Sequence, residues 1–104
     1  MKLSSENEGA KLRLLPAGEL DQHAAGALME EISELLENYA PRDCVLDLGR
    51  VTFMDSSGIA VILRTYKRVN AMGGRLFVEN VPPQPLRVLD ASGLERLVHI
   101  TAAL

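Results

Sequence analysis

The hydrophobic pattern of the chain changes from strand-like to helical across one short polar stretch, Asp55-Ser56-Ser57-Gly58. Before it, residues 43–48 are apolar at nearly every position, which is typical of a strand covered on both faces. After it, apolar residues recur at helical spacing, at Ile59, Ile62, Leu63, Tyr66 and Val69. A strand, a tight turn and a helix in this order expose two hydroxyls, a carboxylate and free backbone N–H groups at one point of the surface. We therefore expect the rest of the chain to be a scaffold that presents this turn.

Four further stretches have the composition of strands. They lie at residues 2–5, 11–15, 75–81 and 97–100, and Asn7-Glu8-Gly9 predicts a hairpin between the first two. Pro16 and Gly18 should weaken the far end of the second strand, because proline cannot donate to a sheet ladder. Together with residues 43–48, these stretches predict a mixed sheet of four to five strands.

Two helices are predicted besides the one that follows Gly58. The first is capped by Asp21 and ends before Pro41. Its apolar face consists of Ala24, Leu28, Ile32, Leu35, Leu36 and Tyr39. The other is short, opening at Pro83 and closing at Gly93. Helices that alternate with strands over 104 residues predict a single α/β domain spanning residues 1–104, with the helices packed on the sheet.

Composition excludes several classes of function. The net charge of −3 and the 4% aromatic content, without Trp, give no basis for nucleic-acid binding. No apolar run reaches the ~18 residues of a membrane span. The single cysteine, Cys44, rules out an internal disulfide, fits a reducing cytosol and is expected to pack in the core. We therefore predict a cytoplasmic protein without direct membrane contact.

The residue patterns of common catalytic sites are missing. Ser57 lacks the preceding glycine of a G-x-S-x-G nucleophile elbow, and no Gly-rich phosphate loop is found. His23 and His99 are both distant from Ser57 in sequence and have no identifiable partner, so we assign both to the surface or to structural contacts. One Cys and two scattered His give no metal-ligand spacing. We therefore predict no enzyme activity, metal or cofactor.

Two interpretations of the polar turn remain open on these residues. In the first, Asp55 or Ser56 caps the helix and Gly58 eases the turn. In the second, the turn is a place where phosphate is attached or held, at Ser57. Asp21 lies at the other strand-to-helix turn, so Asp21 and Asp55 are either two helix caps or an acidic patch beside Ser57.

A helical-wheel projection of the helix after the turn predicts an outward-facing stripe of residues. Ser57, Val61, Arg64 and Arg68 cluster opposite the predicted core residues of their helix. We therefore expect Val61 to be exposed beside two arginines, which is a modest signal of a protein interface. A solvated face with one tolerated valine explains the pattern equally well.

Taken together, these segments resemble a known family. Residues 45–48 and 51–63, together with residues 18–21, 73–74 and 89–94, are similar to the STAS domain of bacterial anti-sigma factor antagonists. The sporulation-type members are the most similar, especially over residues 53–63. The resemblance spans nearly the whole chain. Family members often continue into a C-terminal helix, which we expect to be absent or truncated after Leu104.

The resemblance implies a partner-switching regulator of transcription. Ser57 corresponds to the serine that is phosphorylated by a partner that is both a serine kinase and an anti-sigma factor. The unphosphorylated antagonist binds this kinase and releases the sigma factor, and a PP2C-type phosphatase resets the switch. Asp21 and Asp55 match family aspartates near the phosphorylation site, flanked here by Ser56 and Gly58. Exposed residues of the same helix contact the kinase, which would give that role to Val61, Arg64 and Arg68.

Two other classes stay open. An STAS subunit of a membrane transporter or of a lipid-trafficking complex would share the fold without the phosphorylation. A nucleotide-binding protein or enzyme is a third class, although no phosphate loop supports it.

Overall fold

The computed structural model describes residues 1–104, which form a six-stranded mixed sheet and three α-helices. The strands are β1 (Lys2–Glu8), β2 (Lys11–Leu20), β3 (Asp43–Asp47), β4 (Arg50–Met54), β5 (Arg75–Val81) and β6 (His99–Ala102). The helices are α1 (Gln22–Tyr39), α2 (Ser56–Ala71) and α3 (Pro83–Ser92). The predicted α/β class with a mixed sheet is confirmed. The sheet has one strand more than expected, because residues 50–54 form a strand of their own.

The sheet is parallel except at one edge. Its main order is β1-β2-β3-β5-β6, in which only the β1–β2 hairpin is antiparallel. β4 lies off this path and pairs in parallel with the second half of β2. β6 begins two residues later than predicted, because a 3₁₀ turn at Leu94–Arg96 comes between α3 and this strand.

β2 runs on through the point where the sequence predicts that it weakens. Its parallel ladder with β3 ends at Leu14, paired with Leu46, and its ladder with β4 begins at Ala17, paired with Arg50. Pro16 lies between the two ladders, where a missing N–H is least disruptive. Gly18 lies at a bulge with φ +115°, a conformation that suits glycine. The expected weakening is therefore wrong, and the strand changes neighbour instead of ending.

A single hydrophobic core lies between one face of the sheet and the helices. On α1, the predicted residues Leu28, Ile32 and Leu36 are buried, together with Met29. Tyr39 was also assigned to this core, but it is 46% exposed because it ends the helix where the chain turns toward β3. None of the helices combines the length and the apolar composition that a membrane span requires.

The opposite face of the sheet carries charged and aromatic side chains. Arg13 bridges Asp47 at 2.9 Å and Glu79 at 3.2 Å, and Phe77 stacks on His99 with ring centroids 5.6 Å apart. Val45 lies in register between Arg13 and Phe77 and is only 1% exposed. The apolar run of β3 is therefore covered on both faces, as predicted, but by long side chains on this side and by helices on the other.

Cys44 allows a test of this core. Burial raises the pKa of its thiol to about 12. The folded state therefore keeps the proton at a pH where the unfolded chain, with a pKa near 9.0, releases it. This contribution to stability is intact below the unfolded pKa and is lost as pH rises from 9.0 toward about 12.

We expect the free energy of unfolding of the wild type to fall relative to that of Cys44→Ala as pH rises through this window. The slope should approach ~1.4 kcal/mol per pH unit. Urea denaturation of both proteins between pH 7 and pH ~10.5 measures the difference, in which lysine and tyrosine ionisation cancels. A constant difference would show that the thiol is not held protonated by burial.

Candidate functional site

Two helices begin side by side at one edge of the sheet. β2 and β4 are parallel neighbours, and their last residues, Leu20 and Met54, are paired. Asp21 and Asp55 follow these residues, and the Asp55 N–H donates to the Leu20 carbonyl oxygen at 3.2 Å. The carboxyl ends of two adjacent parallel strands thus bring the two aspartates to the same edge, as their sequence positions suggested.

Asp55 is the N-cap of α2. Its Oδ1 accepts a hydrogen bond from the Ser57 N–H at 2.8 Å, and its backbone oxygen accepts one from the Gly58 N–H at 3.0 Å. Ser56, Ser57 and Gly58 therefore form the first turn of the helix, which begins three residues earlier than the apolar pattern from Ile59 suggested. Ser56 is exposed and Ser57 is half-buried. The first helical turn thus presents both hydroxyls beside backbone N–H groups that favour an anion.

Asp21 caps α1 in the same way. Its Oδ1 accepts hydrogen bonds from the N–H groups of His23 and Ala24, both at 3.0 Å. The exposed Glu19 lies two residues before it, near the end of β2. Asp21 and Asp55 are therefore both helix caps, and together with Glu19 they also give this edge of the sheet a negative charge.

Gly58 is buried against the side chain of Met54. A Cβ built at Gly58 would lie 2.5 Å from Met54 Cγ and 2.7 Å from Met54 Sδ. Met54 is itself fully buried, so it has little room to move aside. Glycine at this position therefore lets α2 sit directly on the end of β4.

Gln84, in the first turn of α3, reaches the same strand end. Its Oε1 accepts from the Met54 N–H and its Nε2 donates to the Met54 carbonyl oxygen, each at 2.8 Å. The contact between Gln84 and Met54 was not predicted from the sequence. No local signal reveals this contact, because the two residues are thirty positions apart.

The predicted stripe on α2 is wrong at Val61, which is only 2% exposed. α1 packs along this flank of α2, where the buried Thr65 hydroxyl donates to the Val61 carbonyl oxygen at 2.7 Å and lies 3.8 Å from Met29 Sδ. Of the predicted core face, Ile62 and Val69 are fully buried as expected, whereas Ile59, Leu63 and Tyr66 are only half-buried. The helix is thus rotated about its axis relative to the expectation, because it has two neighbours to bury against, the sheet and α1.

The exposed face of α2 is basic. Arg64, Lys67 and Arg68 are all exposed along it. Arg64 lines a shallow groove between α1 and α2 that also includes Glu30 and Glu34. Arg68 pairs with Glu37 of α1 at 2.9 Å, a surface contact that stabilises little. Ser57 is about 10 Å along the helix axis from Arg64, so the serine and the basic face form one continuous surface.

Comparisons with a family model and with known proteins agree on one family. A family model described as the STAS domain matches residues 5–104. The chain is 35% identical over 100 residues to an anti-sigma F factor antagonist of Paenibacillus polymyxa. The matched segment covers 96% of this chain and 86% of that protein. The chain is 38% identical over 87 residues to an anti-sigma-B factor antagonist of Bacillus subtilis, covering 83% of this chain and 77% of that protein.

Solved structures show the same architecture. The anti-sigma factor antagonist SpoIIAA in its unphosphorylated form superimposes with a TM-score of 0.80 at 27% identity, over 95% of this chain and 87% of that one. The Bacillus cell fate determinant SpoIIAA in its phosphorylated form gives a TM-score of 0.72 at 27% identity, over 95% of this chain and 90% of that one. The fold described above is therefore shared with a protein whose structure is known in both states.

A pair of glycine substitutions tests the packing beneath the turn. Gly58→Ala should lower the free energy of unfolding by about 1–3 kcal/mol, because the added methyl group collides with the buried Met54 side chain. Gly26→Ala is the control, since Gly26 is an exposed position within α1 where a Cβ would meet nothing within 4 Å. That variant should gain up to ~1 kcal/mol from helix propensity alone. Chemical denaturation gives both values, and equal gains in the two variants would show that Gly58 is not restricted by Met54.

Proposed function

This chain belongs to the STAS domain family, and from that membership we propose that it is an anti-sigma factor antagonist controlled by phosphorylation of Ser57. In the proposed cycle, the unphosphorylated form binds an anti-sigma factor that is also a serine kinase, and this binding releases the sigma factor. Phosphate on Ser57 ends the binding, and a PP2C-type phosphatase restores it. The protein itself is a cytoplasmic regulator of transcription and catalyses no reaction.

The observation that carries this proposal is the position of Ser57. It is the second residue of α2, its backbone is fixed by the Asp55 carboxylate, and it borders the exposed basic face of the helix. A kinase can approach this edge of the sheet, since Ser56 in the same turn and Glu19 near the end of β2 are both exposed. The relatives named above support the same function.

Within the domain, phosphate on Ser57 is tolerated. A phosphoserine adds close to two negative charges at pH 7. At the first turn of a helix, the backbone N–H groups and the helix dipole offset this charge. The nearby Asp55 carboxylate opposes it, but this edge of the sheet is open to solvent, which screens the repulsion. The switch therefore needs no refolding.

Against a docked partner, the same phosphate has the opposite effect. On binding, the phosphate would lose its hydration water. It would also lie close to the groups of the partner that face Asp21 and Asp55. A penalty of ~3–4 kcal/mol at the interface weakens binding by roughly 10²–10³-fold. A single modification thus suffices for an on/off response.

The structure changes the surface assigned to the partner. Arg64 and Arg68 stay in the proposed interface, now with Lys67, because all three are exposed on α2. Val61 leaves it, since its buried side chain contributes to the packing of α1 on α2 instead. We infer that the partner offers acidic groups to α2 and avoids negative charge opposite Asp21 and Asp55.

Replacement of Ser57 tests the modification. Ser57→Ala should bind the anti-sigma kinase of the same genome with unchanged affinity and accept no phosphate. Ser56→Ala, the matched control one residue away on the same helical turn, should still be phosphorylated. Mass spectrometry of the wild type and both variants after incubation with ATP and the kinase locates the phosphate. Labelling of Ser57→Ala comparable to that of the wild type would rule out Ser57 as the phosphorylated residue.

Charge reversal on α2 tests the interface. Arg64→Glu should weaken binding of the unphosphorylated protein to the kinase by roughly tenfold or more, because an attraction becomes a repulsion at the interface. Arg42→Glu is the control, because this exposed arginine lies just before β3 and thus at the opposite end of the parallel strands from Ser57. Titration calorimetry at two salt concentrations measures both affinities. Equal affinities for the two variants would place the partner elsewhere.

A further inference from the structure

We propose that Gln84 is a positioning residue for phosphorylation of Ser57, because its side-chain amide replaces a missing neighbour strand beside Met54 and holds the backbone on which the Asp55 cap is built. This inference rests on the function proposed above for Ser57. It gives α3, which is remote from Ser57 in sequence, a direct part in shaping the modification site.

The directions of the hydrogen bonds show why a partner is needed at Met54. β4 has only one strand neighbour, β2. The Asp55 N–H points toward β2, where it donates to Leu20. Successive residues of a strand direct their N–H and C=O groups to opposite edges. The N–H and C=O of Met54 therefore point away from β2, to the edge where no strand follows.

The side-chain amide of Gln84 hydrogen-bonds to that edge as the backbone of a neighbouring strand would. Its amide oxygen accepts from the Met54 N–H and its amide nitrogen donates to the Met54 carbonyl oxygen, both at 2.8 Å. A glutamine amide carries an acceptor oxygen and a donor nitrogen side by side in one plane, as a backbone peptide group does. Gln84 lies between Pro83 and Pro85 in the first turn of α3, where the proline rings fix the φ angles on both sides. The amide is thus presented from a rigid base.

Two connections link the Gln84–Met54 contact to the first turn of α2, which contains Ser57. Met54 is followed directly by Asp55, whose Oδ1 fixes the Ser57 N–H at 2.8 Å. The side chain of Met54 lies beneath Gly58, so its position also sets how deeply the first turn of α2 sits. A shift of Met54 therefore moves both the cap and the helix start, and a misplacement of about 1 Å is enough to slow a group transfer.

The experiment compares wild type with Gln84→Met and Gln84→Glu. Methionine keeps the length of the side chain and removes both hydrogen bonds. Glutamate keeps an acceptor for the Met54 N–H and loses the donor. Amide hydrogen exchange read by NMR should show the Met54 N–H exchanging about tenfold faster or more in Gln84→Met, with Gln84→Glu in between, while the Val78 N–H in β5 is unchanged.

The second measurement is the steady-state rate of Ser57 phosphorylation by the anti-sigma kinase. For Gln84→Met we expect kcat to fall at least about threefold, with a smaller change in KM, because positioning acts on the reacting geometry more than on docking. Leu36→Val is the control, a buried substitution about 22 Å along α1 from its cap. It lowers stability without touching Met54 and should leave kcat unchanged.

The outcomes separate the two proposals. Faster Met54 exchange together with a lower kcat supports the role of Gln84. Wild-type kcat in both Gln84 variants would overturn it and leave the function proposed for Ser57 intact. An equal loss of kcat in Leu36→Val would also overturn it, since lower stability alone would then explain the effect. A wild-type protein that its kinase does not phosphorylate would overturn both.

Discussion

The division of β2 between two parallel neighbours is the constraint on which the rest of the structure depends. The first half of the strand pairs with β3 and the second with β4, and Pro16 lies where neither ladder needs its N–H. Because β2 and β4 end side by side, the helices that follow them also begin side by side. This places the caps Asp21 and Asp55 at one edge, beside the first helical turn that contains Ser57.

Helix packing then decides which chemistry this edge offers to a partner. α1 covers the flank of α2 that carries Val61 and Thr65, and leaves Arg64 and its basic neighbours exposed. The exposed face of α2 beyond Ser57 is therefore basic and is bordered by acidic residues of α1, while the strand ends are negative. In the proposed function, a partner would recognise this charge pattern, and phosphate on Ser57 would alter the pattern more than the fold.

The first turn of α2 is held mainly by long-range contacts. Met54 is the common element, since α2 sits on its side chain at Gly58 and α3 binds its backbone through Gln84. Three elements thus meet at one residue that lies just before the cap. The turn is therefore supported from both sides, which suits the modification proposed for Ser57.

Local signals were enough to predict part of this protein. The caps at Asp21 and Asp55, the breaks at Pro41 and Gly93 and the alternation of helices with strands depend on neighbouring residues, and the structure confirms them. The class of fold followed from that alternation. The role of Ser57 was suggested by family resemblance, and the geometry alone does not determine it.

Tertiary structure decided the features that depend on distant neighbours. The sequence shows that α2 is amphipathic, but a helical wheel cannot show that α1 packs on α2 and buries Val61. Residues 50–54 became a strand because β2 extends past Pro16 and offers an edge to pair with. Gln84 acquired its contact only when α3 folded against β4. Periodicity and capping are properties of a segment, whereas burial and hydrogen-bond partners are properties of the packed chain.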